Sequence, residues 1–451
     1  MVVYECDGFV IEKRSPDVVV FPHTTDEVAR IVRLCNQYDV PFLPRGAGTS
    51  LAGGCLPVGG GVMIVLTRMK EIHEIHLRDR YAVVGPGVVN IWLTQALKGT
   101  GYHYAPDPSS QGACTIGGNV ATNSGGPHTL KYGVTVNHVL GVEAVLADGT
   151  ILQTGGPAAD RPGLDLTGVL VGSEGTLAIV TKVWVRLTRD AQGCRTLLAI
   201  FDSIEDATNA ISEIIGACIV PAALEMMDQG IIQAVEAAFH FGFPLDAQAV
   251  LLIEVDGLEA GLDDQRDQIT QLCRGRNARE IREARSASER QLLWKCRKQA
   301  FGAVGRLSPS YCTQDGVVPR TRLPHMLHRI ADIGQRHDVR IVNVFHAGDG
   351  NLHPILLFDE RDAGQVRRVL AASEEILDEC IAVGGSVTGE HGIGVEKLGF
   401  MHKLFTEDDL AAMGRLRQAF NPTGRLSPSK MLPTAGACAI EQISPGRRAA
   451  L

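Results

Sequence analysis

The sequence predicts an α+β protein built from two domains, and three observations lead to this prediction. The chain has 451 residues, 45% of them hydrophobic, which is enough for more than one core at ~100–200 residues per domain. Residues 1–190 alternate strand and helix patterns and are rich in glycine, whereas the rest shows fewer strands separated by long helices. We therefore predict one domain over 1–190, a second α+β domain over 191–434, and a frayed tail over 435–451.

The first domain contains the clearer local signals. Apolar runs predict strands at 17–22, 40–43, 62–66 and 81–87. Thr24 with Glu27 forms a candidate capping box for a helix that ends near Gln37. Asp148-Gly149 between two apolar runs predicts a hairpin, and the apolar/polar alternation over 177–187 predicts a half-buried strand.

In the second domain, long periodic segments separate a few apolar runs. The runs predict strands at 197–201, 249–255, 340–346 and 351–358. The periodic segments predict helices at 204–216, 259–274, 284–304, 361–383 and 406–419.

Composition and charge exclude several classes of protein. The net charge is −8, which argues against nucleic acid or an anionic membrane as the main partner. No apolar run approaches the ~20 residues that span a bilayer, and the first residues do not resemble a signal peptide. The eleven cysteines are dispersed, so we expect reduced thiols and no iron–sulfur cluster. We expect a cytoplasmic protein, or one held at the inner face of a membrane by partners.

Three glycine-rich stretches predict close approach of the backbone to a large ligand. PRGAGTSLAGG (44–54) exposes successive N–H groups that suit phosphate oxygens. It fails the dinucleotide pattern, because Leu51 stands at the third glycine, and it fails the Walker pattern. Taken alone it also fits a tight surface turn. YAPDPSSQGACTIGGNVATNSGG (104–126) adds five glycines, and GSEGTLAIVTKV (172–183) follows; together they favour an extended ligand.

With LKYG (130–133), LWKCRKQAF (293–301), FHAGDGNLHP (345–354) and GEHGIGVEK (389–397), these stretches resemble the FAD-linked oxidases of the vanillyl-alcohol oxidase and p-cresol methylhydroxylase type. Within that family the chain is similar to the branch that contains the FAD-binding subunit of glycolate oxidase and the D-lactate and D-2-hydroxyglutarate dehydrogenases. The resemblance implies an FAD domain followed by an α+β substrate (cap) domain. The family's extra segment before YECDG is either absent here or removed by truncation.

The resemblance also implies which residues contact FAD. The main chain of the first stretch would hold the pyrophosphate, and the other two would run along the cofactor and its adenine. The implied residues are Arg45, Gly46, Ala47, Gly48, Thr49, Ser50, Pro106, Asp107, Ser109, Gly117, Gly118, Asn119, Gly125, Glu174, Gly175 and Ile179. Thr49 stands where some relatives carry a flavin-linked His, so we expect non-covalent FAD. SPSK (427–430) replaces the family's NPGK; it retains Lys430 and loses one flavin contact.

The second half carries a candidate metal site. His346 and His353 flank a Gly-Asp-Gly-Asn turn, and Glu390 comes from a different segment. Two His and one carboxylate are a common ligand set for a divalent metal, although such residues alone also fit hydrogen-bonded structural histidines. The resemblance implies metal ligation by all three, with Zn, Mn and Fe all compatible.

The resemblance implies oxidation of a 2-hydroxy acid, which needs a base and a carboxylate anchor. We assign His391 as the base and Arg297 and Arg320 as candidate anchors; the alternative for both arginines is a surface or interdomain salt bridge. Ile355 and Thr313 replace an Asn and a Lys of the 2-hydroxyglutarate relatives. Both replacements favour glycolate or D-lactate over 2-hydroxyglutarate.

Two other classes of protein remain as alternatives. A zinc hydrolase would use the same polar set but would leave residues 1–190 unexplained. A non-catalytic FAD-binding subunit would be expected to lack that set, which this chain retains. The resemblance further implies electron transfer to a complex with a related FAD subunit and an iron–sulfur subunit.

Overall fold

The computed structural model describes residues 2–158 and 162–433, so the predicted tail 435–451 lies outside the described residues. The chain packs as two units. Unit 1 consists of the residues up to Gly126, Gly133–Asp190 and the described chain from Glu390 onward. Unit 2 consists of Pro127–Tyr132 and Ala191–Gly389. The boundary after Asp190 coincides with the predicted one. The predicted domain 191–434 differs from unit 2, because the chain from Glu390 packs with unit 1.

Long-range contacts explain why the C-terminal segment belongs to unit 1. The N–H of Val395 donates to the carbonyl of Ala52 at 2.9 Å, and the N–H of Ser427 donates to that of Phe42 at 2.8 Å. Leu426 is fully buried in an apolar core together with Phe42. The periodicity of the sequence does not indicate these contacts, because the two residues of each contact lie hundreds of positions apart.

The described residues of unit 1 form ten strands in three sheets. Its strands are β1 (Val18–Val20), β2 (Phe42–Arg45), β3 (Val62–Val65), β4 (Ile72–His76), β5 (Tyr81–Val84), β6 (Tyr102–His103), β7 (Val139–Leu146), β8 (Ile151–Gly155), β9 (Ala178–Arg186) and β10 (Thr188–Arg189). The first three form a parallel sheet in the order β1-β3-β2. An antiparallel five-stranded sheet has the order β4-β5-β9-β7-β8, and β10 pairs with β6.

Unit 2 is built on one antiparallel sheet. Its strands are β11 (Gly193–Phe201), β12 (Ala223–Asp228), β13 (Ala249–Gly257), β14 (Glu280–Glu283), β15 (Ser310–Thr313), β16 (Gly316–Val317), β17 (Arg340–His346), β18 (Asn351–Leu352) and β19 (Pro354–Phe358). The main path is β14-β11-β13-β12-β17-β18-β16, and β19 pairs with both β15 and β17. The single strand predicted over 351–358 is therefore wrong; it is interrupted at His353, and Pro354 begins the second part.

Helices pack against these sheets. They are α1 (Thr25–Gln37), α2 (Asn90–Ala96), α3 (Ile116–Thr122), α4 (Thr129–Tyr132), α5 (Leu166–Leu170), α6 (Ile204–Gly216), α7 (Gln229–Phe239), α8 (Leu262–Gly275), α9 (Ala287–Val304), α10 (Leu323–Arg336), α11 (Ala363–Ala382), α12 (Met401–Leu404) and α13 (Glu407–Phe420). The mixed α+β prediction is confirmed. Among the described residues, no helix is both long and apolar enough to cross a membrane.

Local sequence signals place individual elements correctly. The side chain of Thr24 accepts from the N–H of Glu27 at 3.2 Å and begins α1, as the capping pattern predicts. Gly149, at φ 86°, turns the chain between β7 and β8. The sequence did not predict β12, α7 or α10, whose apolar residues are buried mainly by partners distant in the chain.

Candidate active site

The three glycine-rich stretches converge on helix α3 in unit 1. The first stretch follows β2, and a Cβ added to Gly46 would lie 2.6 Å from the hydroxyl of Thr115, the N-cap of α3. The second stretch contains α3 itself. In the third, the N–H groups of Gly172 and Glu174 donate to carbonyls of α3, each at 2.8 Å. Every predicted FAD residue therefore lies in unit 1.

Close approach of main chain explains the glycines at two of these positions. A Cβ on Gly117 would lie 2.5 Å from the Cβ of Pro86. Gly48 has φ 75°, and a Cβ there would collide with the guanidinium of Arg45. Both positions therefore exclude a side chain, and the N–H of Gly117 donates to the carbonyl of Pro86 at 2.8 Å.

Two buried hydroxyl groups test whether this region fits FAD. The Oγ atoms of Ser50 and Ser124 are buried and have no hydrogen-bond partner among the described residues. An unsatisfied buried polar group costs ~1–3 kcal/mol. Both serines belong to glycine-rich stretches, so a polar ligand seated there would satisfy them. The residues present therefore fit a bound FAD.

The predicted FAD residues differ in what their side chains do. Ala47 and Ser109 are exposed, whereas Ile179 is fully buried in the core beneath α1. The guanidinium of Arg45 donates to the carbonyl of Cys6 at 2.9 Å and to the thiol of Cys55 at 3.1 Å. For Arg45 and Ile179 the main chain is thus the part that can contact a cofactor.

Glu174 holds the segment that follows His391. Its carboxylate accepts the N–H groups of Ile393 and Gly394, each at 2.7 Å. Burial raises the pKa of Glu174, and these two N–H groups oppose that shift. The side chain predicted to border the adenine is therefore engaged with the GEHGIG turn.

Lys430, the lysine of the SPSK segment, is almost completely buried. Its Nζ donates to the carbonyl of Gly54, at the end of the first glycine-rich stretch, at 2.7 Å. Burial lowers the pKa of this lysine to about 8. The retained lysine thus stabilises the loop directly.

We expect FAD to be released by acid. Thr49 offers a hydroxyl and no imidazole where some relatives attach the flavin, so no covalent flavin bond is expected. Precipitation with trichloroacetic acid should leave a yellow supernatant and a colourless pellet. A yellow pellet after washing would contradict this prediction.

In unit 2, the turn between β17 and β19 brings His346 and His353 together. Their ring centroids are 5.2 Å apart and both side chains are buried. The Nδ1 of His346 lies 2.8 Å from Glu225 Oε1, and the Nδ1 of His353 lies 3.3 Å from the carbonyl of Gln314. Each contact suits a protonated Nδ1, which leaves the lone pair on Nε2; this is the arrangement usual for metal-ligating histidines.

Arg297 joins the same cluster through Glu225. Its Nη2 lies 2.6 Å from Glu225 Oε2, and each side chain is 1% exposed. The Nε and Nη1 of Arg297 have no hydrogen-bond partner among the described residues. Burial opposes ionisation of Glu225, but the charge of Arg297 and the hydrogen bond from His346 hold its pKa below the ordinary value. The cluster thus contains a buried guanidinium with unused donors.

Asp315 connects His353 to the end of unit 2. One of its oxygens lies 3.8 Å from His353 Nδ1, and the other accepts the N–H of Gly389 at 2.9 Å. Glu390 and His391 follow Gly389 directly and belong to unit 1.

Arg320, the second candidate anchor, is exposed. Its Nη1 donates to the carbonyl of Gly348 at 3.2 Å. It supports the turn between the two histidines, whereas Arg297 reaches the buried cluster itself.

Sequence reasoning did not identify Glu225 or Asp315. Glu225 is a single carboxylate inside the apolar run AALEMM, and Asp315 precedes a glycine in TQDG. A lone acidic residue inside an apolar run is a usable signal, because burial of a charge requires a partner.

Comparisons with known proteins identify the family and the fold. A family described as "FAD binding domain" matches residues 16–155, and one described as "FAD linked oxidases, C-terminal domain" matches residues 192–431. The structure of p-cresol methylhydroxylase with bound substrate superimposes with a TM-score of 0.80 at 16% identity, covering 95% of this chain and 91% of that one. The chain therefore shares the fold of p-cresol methylhydroxylase, and the two family matches define the class as FAD-linked oxidases.

Relatives with higher sequence identity narrow this class. "Glycolate oxidase subunit GlcD" of Escherichia coli (strain K12) is 45% identical over 439 residues, covering 97% of this chain and 88% of the relative. The protein of the same name from Bacillus subtilis (strain 168) is 40% identical, covering 95% and 92%. The chain belongs to the FAD-linked oxidases, and the prediction that it binds FAD is confirmed.

Proposed function

We propose that this protein oxidises a small 2-hydroxy acid, glycolate or D-lactate, to the 2-oxo acid. The single observation that carries the proposal is Arg297, a buried guanidinium with unused donors beside two histidines. The relatives of this chain include glycolate oxidase subunits and the "D-lactate dehydrogenase" of Archaeoglobus fulgidus, which is 31% identical. When bound, FAD would accept the hydride that leaves the Cα of the substrate.

In this proposal, Arg297 binds the substrate carboxylate. Hydrogen bonds between a guanidinium and a carboxylate are charge-assisted, and the Nε and Nη1 of Arg297 have no hydrogen-bond partner within the described chain. Glu225 pairs with the Nη2 of this guanidinium and compensates its charge before substrate binds. Arg320 supports the neighbouring turn.

We further propose that His346, His353 and Glu390 ligate a divalent metal: Zn, Mn or Fe. The Nδ1 contacts of both histidines favour ligation through Nε2. A bound metal would lower the pKa of the substrate hydroxyl and orient it.

His391 would take the hydroxyl proton. An imidazole titrates in the range that a general base requires. Glu174 fixes the backbone immediately after His391, and Asp315 fixes Gly389 on the other side. The residues flanking the proposed base are therefore held by hydrogen bonds.

D-2-hydroxyglutarate remains the alternative substrate. Ile355 is fully buried on β19, and Thr313 is buried on β15 opposite it in register. This pair offers an apolar side chain and a hydroxyl, and no cation for a second carboxylate. For this reason we propose the smaller acids as the substrates.

Anaerobic flavin bleaching tests the proposal. Glycolate, D-lactate, L-lactate and D-2-hydroxyglutarate are mixed with the holoprotein without oxygen, and flavin absorbance is followed. Bleaching by glycolate or D-lactate is expected, with slower bleaching after chelator treatment. Lactate methyl ester and propanoate are the controls, since one lacks the carboxylate charge and the other the hydroxyl. If no 2-hydroxy acid bleaches the flavin, the proposal is wrong.

We propose that the electrons leave through partner chains: a related FAD subunit and an iron–sulfur subunit. The named relatives are subunits of glycolate oxidase. The described cysteines are free thiols, and the sequence has no cysteine cluster for an iron–sulfur relay. A cytoplasmic location, with attachment to a membrane through these partners, would follow.

The isolated chain should therefore turn over with artificial dyes and react slowly with oxygen. Purified without partners, it should reduce a dye with glycolate or D-lactate while producing little peroxide. Rapid stoichiometric peroxide formation would show a self-sufficient oxidase and would contradict the partner requirement.

A further inference from the structure

We propose that Leu130 is a positioning residue, which holds the turn between His346 and His353 in place. Leu130 belongs to LKYG (130–133), a motif that has no role in the proposed function. Residues 127–132 belong to unit 2, although the chain on both sides of them belongs to unit 1. The contacts of this segment within unit 2 therefore indicate what it does.

The side chain of Leu130 lies over Gly348, in the turn 347–350 that separates the two histidines. A Cβ added to Gly348 would lie 2.5 Å from the Cδ2 of Leu130. Because a Cβ is one bond away from its Cα, that methyl group is in van der Waals contact with the Cα of Gly348. The missing side chain at position 348 thus leaves the space that Leu130 fills.

Gly348 is also bound to the strand that carries Glu225. The N–H of Gly348 donates to the carbonyl of Leu224 on β12 at 3.1 Å. Glu225 is the next residue of that strand, and its Oε1 lies 2.8 Å from the Nδ1 of His346. A displacement of Gly348 would therefore disturb the carboxylate that orients the ring of His346.

Two carboxylates of β13 anchor the segment that carries the leucine. Asp256 accepts hydrogen bonds from the Nζ of Lys131 and, at 2.6 Å, from the hydroxyl of Tyr132. Glu254 is 1% exposed, and its Oε1 lies 3.6 Å from the Nε2 of His128. Residues before and after the leucine are thus attached to one strand of the sheet.

The turn needs such support, because Gly348 and Gly350 give its backbone more conformational freedom than other residues would. Arg320 donates to the carbonyl of Gly348 at 3.2 Å, but Arg320 is exposed. Leu130 adds an apolar contact from a segment that hydrogen bonds already hold. The two imidazoles would therefore be positioned before a ligand arrives. This inference rests on the proposed function only for the ligand that the histidines bind.

Hydrogen–deuterium exchange of the holoprotein tests the contact without reference to activity. In Leu130→Ala, the amide of Gly348 should exchange several-fold faster, because the turn loses its apolar support. Mass spectrometry of peptides that span 345–352 measures this rate. Leu130→Met nearly conserves the side-chain volume and should exchange like the parent. Unchanged exchange in Leu130→Ala would overturn the proposal.

The matched control is Leu370→Ala. Leu370 is an exposed leucine of α11 in unit 2, so its loss should leave exchange at 345–352 unchanged. If Leu370→Ala accelerated this exchange as much as Leu130→Ala, the effect would be a general loss of stability and the proposal would be wrong.

A second variant tests the fit between Leu130 and Gly348. Gly348→Ala adds a methyl group 2.5 Å from the Cδ2 of Leu130, so the leucine must move and the turn should exchange faster. The backbone of Gly348 lies outside the left-handed region, so alanine itself adds no backbone strain there. In Leu130→Ala/Gly348→Ala the clash is absent, and exchange should be slower than the two single effects predict together. Simple addition of the two effects would contradict a direct contact.

Metal affinity separates this inference from the proposed function. The chelator-treated holoprotein is titrated with Mn²⁺, and Leu130→Ala should bind Mn²⁺ ~10-fold more weakly than the parent, whereas Leu370→Ala should match the parent. Faster exchange in Leu130→Ala of a protein that neither binds Mn²⁺ nor shows flavin reduction would support the positioning role and refute the proposed function. Flavin reduction by the parent, with exchange and Mn²⁺ affinity both unchanged in Leu130→Ala, would refute the positioning role alone.

Discussion

Replacing His391 with alanine is expected to lower the rate of flavin reduction ~10²–10⁴-fold, the usual contribution of a general base. The FAD absorbance spectrum should not change. The carboxylate of Glu174 holds this turn through the backbone N–H groups of Ile393 and Gly394, and these bonds do not need the imidazole. Stopped-flow measurement at saturating glycolate or D-lactate gives the rate.

The control for this variant is His402→Ala. His402 is an exposed histidine of α12, 3.6 Å from Glu407, and its loss should leave the rate within twofold. Added imidazole should partly restore His391→Ala, because a free base can enter the space of the missing side chain. Near-normal reduction by His391→Ala at saturation would remove His391 from the mechanism.

Glu225→Gln is expected to destabilise the protein by ~3–5 kcal/mol, the cost of removing one partner of a buried ion pair. Arg297 would keep its charge without compensation, and the carboxylate next to His346 would become a neutral amide. Loss of such a partner also lowers metal affinity ~10–100-fold. Urea unfolding followed by tryptophan fluorescence measures the free energy of unfolding. The metal content of the purified variant measures the loss of metal affinity.

Glu213→Gln is the matched control, because Glu213 pairs with Arg276 where both side chains are more than one-third exposed. Loss of an exposed pair should cost at most ~1 kcal/mol. If Glu225→Gln were no less stable than Glu213→Gln, the compensation of Arg297 by Glu225 would be unimportant for folding.

Sequence alone determined the local features of this protein. Thr24 and Glu27 predict the start of α1, Asp148-Gly149 predicts the β7–β8 turn, and the glycine-rich stretches predict a cofactor cradle. Each of these depends on the conformational preferences or hydrogen bonds of residues a few positions apart. These features can therefore be predicted without knowledge of the fold.

Only the tertiary structure decided which distant residues meet. Glu225 pairs in register with His346 through β12 and β17, and α9 then brings Arg297 to the same carboxylate. The chain from Glu390 packs with the first half. Strand register and the burial of charge are set by partners 70 or more residues apart, and local periodicity contains no information about them. For this reason the sequence predicts both Arg297 and Arg320 as candidate anchors. The tertiary structure places Arg297 in the buried cluster and Arg320 outside it.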